Sequence, residues 1–163
     1  MLKESALYKL LRARLTEVSL NRLETRVALG MPDCLAALPT GQWVTLELKV
    51  VASGRKIRLS PHQVAFHVRH AHMPSWIVVQ YWPPGTARAP DSILLLYHGS
   101  QAQALLDTGI DTPAVLRERW RDVDWQALVV KLANNRSDWP TISRIPQQLV
   151  NLANRWLDYT TSI

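Results

Sequence analysis

Asp33, Glu47 and Lys49 are the residues of this chain whose types and spacing point to chemistry. Residues 32–38 and 42–51 both read as strands, joined through Pro39, Thr40 and Gly41. A three-residue hairpin loop with glycine at its left-handed position fits that spacing. Pairing Leu38 with Gln42 then sets Asp33 opposite Glu47, with Cβ atoms roughly 5 Å apart. Two carboxylates at that distance repel unless a proton or a cation sits between them, and a hard cation with oxygen ligands resolves the conflict. Period-two alternation places Trp43, Thr45, Glu47, Lys49 and Val51 on one face and Val44, Leu46, Leu48 and Val50 on the other. The Leu/Val face is expected to enter the core, leaving an acid and an ammonium side by side above the sheet. There the lysine can orient, or help deprotonate, a water that a metal has acidified. An exposed cross-strand ion pair gives the same local pattern, so the wider context decides.

That context is an ordered set of residues: Gly30-Met31-Pro32-Asp33, then Glu47-Leu48-Lys49, then Leu59-Ser60-Pro61-His62-Gln63. The set resembles the PD-(D/E)XK nuclease superfamily, and within it the VRR-NUC and archaeal Holliday-junction-resolvase-like branch, which includes small phage-encoded endonucleases. The resemblance covers roughly residues 1 to 82. It implies a restriction-endonuclease-like α/β core of order α-β-β-β-α-β, with a mixed central sheet flanked by helices. It also implies a metal held by Asp33, Glu47, the main-chain carbonyl of Leu48 and an upstream glutamate, with Lys49 beside it and Gln63 near the site. Mg²⁺ is the expected ion, with Mn²⁺ able to substitute.

Two residues compete for the upstream position. Glu4 opens a helix over residues 3–18 whose Leu7, Leu11, Leu15 and Val18 recur at helical spacing, and it lies on that inward stripe. Glu4 also suits the first turn of a helix as a simple dipole partner. Glu24, flanked by Arg22 and Arg26, is the rival, but reads more simply as an ion-paired surface residue; Glu4 is preferred. Gln63 has a double reading as well, because Ser60-Pro61-His62-Gln63 is a capping box with proline at N1. A helix start aimed at the metal strands would also favour a DNA phosphate.

Charge points to a polyanion. The chain carries a net charge of +6; residues 1–58 hold ten Lys/Arg against five Asp/Glu, so +5 of that excess lies there. Three of the five acids are the proposed ligands. Arg55, Lys56 and Arg58, on the turn after the Glu-x-Lys strand, are placed to contact phosphates, with Ser60 and Gln63 next to them. A solvated basic loop is the plain alternative, and an anionic membrane surface another, but no basic amphipathic helix supports the membrane.

With 163 residues and 47% apolar content the chain suits one domain: a nuclease core over 1–100 and a helical C-terminal elaboration over 101–163. Strands are expected near 22–29, at 76–82 and at 92–98, a capped helix from Pro61 to about Met73, and helices at 101–107, 113–121, 125–133 and 146–159. No apolar run reaches membrane-span length and no signal-peptide core is visible, so a cytoplasmic protein, in the host cell if phage-encoded, is expected. Cys34 reads as a buried small hydrophobe. His62, His67, His70 and His72 lack tetrahedral zinc spacing, and His70 and His72 fit a helix C-terminus. The tryptophans, Trp120, Trp125, Trp139 and Trp156 among them, suit core or subunit packing better than base stacking. The resulting expectation is a Mg²⁺- or Mn²⁺-dependent deoxyribonuclease, structure-selective on branched DNA and working as a homodimer. A nicking or restriction-like enzyme, or a catalytically silent DNA-binding accessory module on the same fold, is the alternative.

Overall fold

A computed structural model describes residues 3–23 and 29–134. Six strands form one mixed sheet in sequential order: β1 (Ser19–Arg22), β2 (Cys34–Ala37), β3 (Trp43–Val51), β4 (Ser75–Tyr81), β5 (Ile93–His98) and β6 (Leu116–Arg119). All neighbours are antiparallel except β3 and β4, which run parallel. Parallel neighbours need a crossover, and α2 (Pro61–Arg69) supplies it. The other helices are α1 (Glu4–Arg14), α3 (Ala102–Thr108) and α4 (Trp125–Ala133). Up to β4 the element order is α-β-β-β-α-β, as the sequence predicts.

The hairpin expectation holds to the residue. Leu38 N–H donates to the Gln42 carbonyl at 2.9 Å, Gly41 takes φ +82°, and the ladder pairs Cys34 with Leu46. One step further along that register, Asp33 falls opposite Glu47.

Both faces of the sheet are covered, which corrects the expectation of a single buried face on β3. Leu7 and Leu11 of α1 and Leu128 and Leu132 of α4 pack on Val44, Leu46, Leu48, Trp76 and Val78. On the other side, Val64 of α2 and Leu105 of α3 pack with Val51, Ile77, Val79, Leu95 and Tyr97. Every residue of β4 is buried, the pattern of a central strand between two helical layers. Thr45, Glu47 and Lys49 therefore lie beneath α2 rather than above an open sheet.

Other boundaries differ as well. The first helix stops at Arg14, although Leu15 and Val18 stay buried as the spacing predicts. A strand forms at Ser19–Arg22; residues 24–28 of the strand expected near 22–29 lie outside the described residues. Residues 113–121 are not a helix: Leu116–Arg119 pair with β5 as the sheet's last strand, so the chain after residue 100 is not purely helical. The 102–108 and 125–133 helices form as expected, and Trp120 packs edge-on to Trp125 at 5.1 Å between centroids. The Trp76 indole N–H donates to the Leu132 carbonyl at 3.1 Å, fastening α4 to the sheet. Glu24, Arg26, Trp139, Trp156 and the 146–159 helix lie outside the described residues. Among the described residues no helix is long and apolar enough to cross a membrane.

Gly30 connects the Asp33 segment to α2. Its φ is +84°, and a Cβ there would collide with the His62 backbone carbonyl. Left-handed backbone and lack of space thus demand glycine together. Gly30→Ala should lower unfolding free energy by about 2–3 kcal/mol, from the strained φ with added overlap; urea unfolding with a change below 0.5 kcal/mol would contradict this packing.

Candidate functional site

Alternation on β3 and the start of α2 bring Glu47, Lys49 and Gln63 together. Glu47 is fully buried. One of its carboxylate oxygens, Oε1, accepts from the Lys49 ammonium at 2.8 Å and from the Gln63 side-chain amide. The other, Oε2, is buried with no hydrogen-bond partner. Gln63 does two jobs at once: its Oε1 accepts from Ser60 N–H at 2.9 Å, closing the capping box with Ser60 Oγ, while its Nε2 grips Glu47. Glu4, the first residue of α1, reaches Lys49 at 3.4 Å. It can do so because the β2 ladder stops at Cys34, leaving the side of β3 beyond Leu46 uncovered by a paired strand.

Asp33 is half-buried and turns one carboxylate oxygen onto the Leu48 N–H at 2.8 Å. The β2–β3 ladder ends at Cys34 and Leu46, and Pro32, the residue before Asp33, has no N–H with which to extend it. The Leu48 carbonyl therefore gets no donor from Pro32, while its N–H is taken by the Asp33 side chain. In extended backbone both groups point the same way, so the Leu48 carbonyl faces the Asp33 side of the site.

Three carboxylates, Glu4, Asp33 and Glu47, surround one ammonium. Burial raises the Glu47 pKa to about 7; Lys49 opposes the rise and Asp33 adds to it. Burial works against the Lys49 charge, but Glu47 foremost, then Glu4 and Asp33, outweigh it and hold the amine above its ordinary value. Lys49 is accordingly an ammonium that can orient a water or neutralise an anion, rather than a free base. Cys34, beside Asp33, is buried, and burial pushes its thiol up to about 12, which fits an inert core residue.

Among the predicted residues, Glu4, Asp33, Glu47, Lys49, Leu48, Ser60 and Gln63 come together. The basic turn splits: Arg55 is ion-paired with Asp111, whereas Lys56 and Arg58 are exposed and have no carboxylate partner among the described residues. Among those residues, no group of three His, Cys, Asp or Glu side chains stands arranged to hold a metal ion. The acids are turned instead toward Lys49, Gln63 and the Leu48 N–H. The donor chemistry still suits a hard cation: a buried carboxylate oxygen without a partner, a second carboxylate beside it, and a backbone carbonyl directed to the same place.

No family model, curated protein or solved structure matches this chain.

One neighbour escaped the sequence reading. His67 is fully buried, with Nδ1 2.8 Å from Ser75 Oγ, which in turn accepts from Thr45 Oγ1 at 3.0 Å. It lies one turn after Gln63 on the α2 face that covers Thr45, Glu47 and Lys49; the i, i+4 pairing of Gln63 with His67 was the available signal. Burial lowers its pKa to about 4, helped by His70, Lys49 and His98. The unfolded imidazole protonates near 6.5 and the folded one near 4, so the unfolded state carries more protons between those values and stability falls as pH drops through them. Glu47 acts oppositely, its contribution being lost as pH rises from 4.5 to about 7. Glu47 is common to wild type and His67→Asn, so its contribution cancels in the difference between them. From pH 6.5 to 4, wild type should lose on the order of 3 kcal/mol more than the variant, and parallel stability curves would refute the buried neutral histidine.

Proposed function

We propose that this protein is a metal-dependent nuclease that hydrolyses phosphodiester bonds in DNA. The observation that carries the proposal is the buried Glu47 oxygen without a partner, set among Asp33, Lys49 and a main-chain carbonyl relieved of its ladder bond. A purely structural ion pair needs no second carboxylate beside it.

Asp33, Glu47 and the Leu48 carbonyl would hold the cation, with Glu4 at its margin; Mg²⁺ or Mn²⁺ so held supplies Lewis acidity at the phosphate and a more acidic bound water. Lys49 orients the attacking water and offsets negative charge that builds on the phosphate. Gln63 fixes the Glu47 carboxylate and couples it to the start of α2, whose positive end favours a phosphate nearby. Lys56 and Arg58 extend the cationic surface on the same loop. Branched DNA is the substrate class the sequence resemblance favours; symmetric cutting of a four-way junction would require two copies of the chain.

Two measurements test the reading. Lys49→Ala and Glu47→Gln should each reduce Mn²⁺-dependent cleavage of linear, nicked, flapped or four-way DNA by at least about 100-fold. Their affinity for the same DNA in chelator should stay near that of wild type. Full activity in either variant refutes the assignment. Absence of metal-dependent product from wild type across the whole panel favours a silent DNA-binding module, for which the present engagement of Glu47 by Lys49 and Gln63 would be the resting arrangement. Independently of turnover, Mn²⁺ should raise the melting temperature of wild type, by linkage, and leave Glu47→Gln unmoved; an equal rise in both places the ion elsewhere.

A further inference from the structure

A cleft of about 540 Å³ lies between α1 and β1, lined by Ser5, Tyr8, Lys9, Arg12 and Ala13 of the helix and by Arg22 of the strand. Positions 5, 8, 9, 12 and 13 form one helical stripe. It flanks the stripe of Leu7 and Leu11 that enters the core. The wall is cationic: Lys9, Arg12 and Arg22 are exposed, and among the described residues no carboxylate pairs with any of them. It also holds an aromatic ring. Tyr8 is fixed by its hydroxyl, which donates to the Leu20 carbonyl at 3.1 Å, and the Arg22 guanidinium stands 6.0 Å from the ring centroid.

The lining residues adjoin the acidic cluster along the chain and across the β1–β2 ladder. Ser5 follows Glu4, and Arg22 pairs in register with Cys34, next to Asp33; Leu23 N–H donates to the Asp33 carbonyl at 2.8 Å. From Glu4 to Arg12 the helix rises about 12 Å, the span of about two unstacked nucleotides. A duplex is far too wide for this volume, whereas one or two unstacked nucleotides match it. Fixed ring, guanidinium and paired cations are the elements by which proteins seat single strands: bases stack, and phosphates meet Lys and Arg.

We infer that the α1–β1 cleft binds a single-stranded nucleic-acid segment leading out of the site, with Tyr8 and Arg22 as the stacking platform and Lys9 and Arg12 on its phosphates. The inference rests on the nuclease reading for where the strand begins, and it makes the preferred substrate a duplex with an unpaired tail or flap. Binding rather than cleavage tests it, so the two readings can fail separately.

The full-length protein is titrated in chelator into fluorescein-labelled duplexes with and without an oligo-dT tail, across a range of salt. Wild type should prefer the tailed duplex. Lys9→Ala/Arg12→Ala should lose about tenfold in affinity for the tailed duplex and little for the blunt one. Its slope of log affinity against log salt should fall by about 1.4, from about 0.7 per single-strand phosphate contact. Arg117→Ala/Arg119→Ala, removing equal charge from β6 at the opposite edge of the sheet, should leave tail preference intact. Tyr8→Leu should weaken tail binding, whereas Tyr8→Phe, which keeps the ring, should not. Retained tail affinity in Lys9→Ala/Arg12→Ala overturns the inference, as does an equal loss in the β6 control. Cleft-dependent capture by anionic phospholipid vesicles without tail preference overturns it too. Tail binding that needs the cleft in a protein that never cuts would sustain this inference while sinking the nuclease; cleavage that needs Lys49 but ignores the cleft would do the reverse.

Discussion

Burying the Glu47 carboxylate is the constraint around which the rest of the structure is arranged. Removing an ionised carboxylate from water costs several kcal/mol even after relaxation, unless partners replace the lost hydration. Lys49 and Gln63 satisfy one oxygen and leave the other bare. The remaining deficit shows as a carboxyl held to about 7 instead of its ordinary value. Such a group can be relieved by a proton or by a cation. The surroundings are biased toward a cation, because Asp33 and Glu4 add negative charge that a proton on Glu47 alone would not balance.

The groups around Glu47 are tied to backbone features outside the cluster. Gln63 is held by the capping box of α2, so the amide that reaches Glu47 belongs to a side chain whose other end is already committed. The α2 start is pressed on Gly30, which in turn begins the segment carrying Pro32 and Asp33. Where the β2–β3 ladder ends at Cys34, the Asp33 side chain accepts from the Leu48 N–H, so a polar notch follows the last strand pair. His67, Ser75 and Thr45 form a buried hydrogen-bonded chain below this notch and hold the same face of α2 to β3 and β4. These contacts over-determine the positions of a few polar groups, the usual condition for keeping an unfavourable buried charge in place.

The register at the heart of the site was legible in the sequence because a tight turn leaves little freedom. With Gly41 at the left-handed position and strand alternation on both sides, Asp33 has only one partner opposite. The helix start at Ser60 was legible for the same local reason. What escaped were features that depend on the third dimension. Residues 113–121 carry proline near a helix-like start and mixed charges, and four residues of strand are too few for periodicity to declare itself; pairing with β5 decides them. The charged, short β6 suits an edge strand, where Arg and Glu discourage further pairing. The polar face of β3 looked solvent-exposed since nothing local reveals that α2 will cover it, and the same ignorance made His67 seem an ordinary helix residue.

Charge distribution links the pieces. Residues 1–58 are strongly basic, yet three of their five acids converge on one spot, so the local field reverses sign within a basic surface. A polyanion attracted to the surroundings would be repelled by the site itself if the acids stood alone. Such a field makes sense when a divalent cation occupies the acids: three carboxylates and one ammonium are then neutralised, and the basic surroundings can draw a phosphate backbone inward. A structural role for Glu47 and Lys49 alone explains their contact, but not the gathering of Asp33 and Glu4 around them, nor the exposed cations along the neighbouring α1–β1 cleft. Economy of explanation therefore favours a single account in which a divalent ion and a phosphate backbone meet at the end of β2.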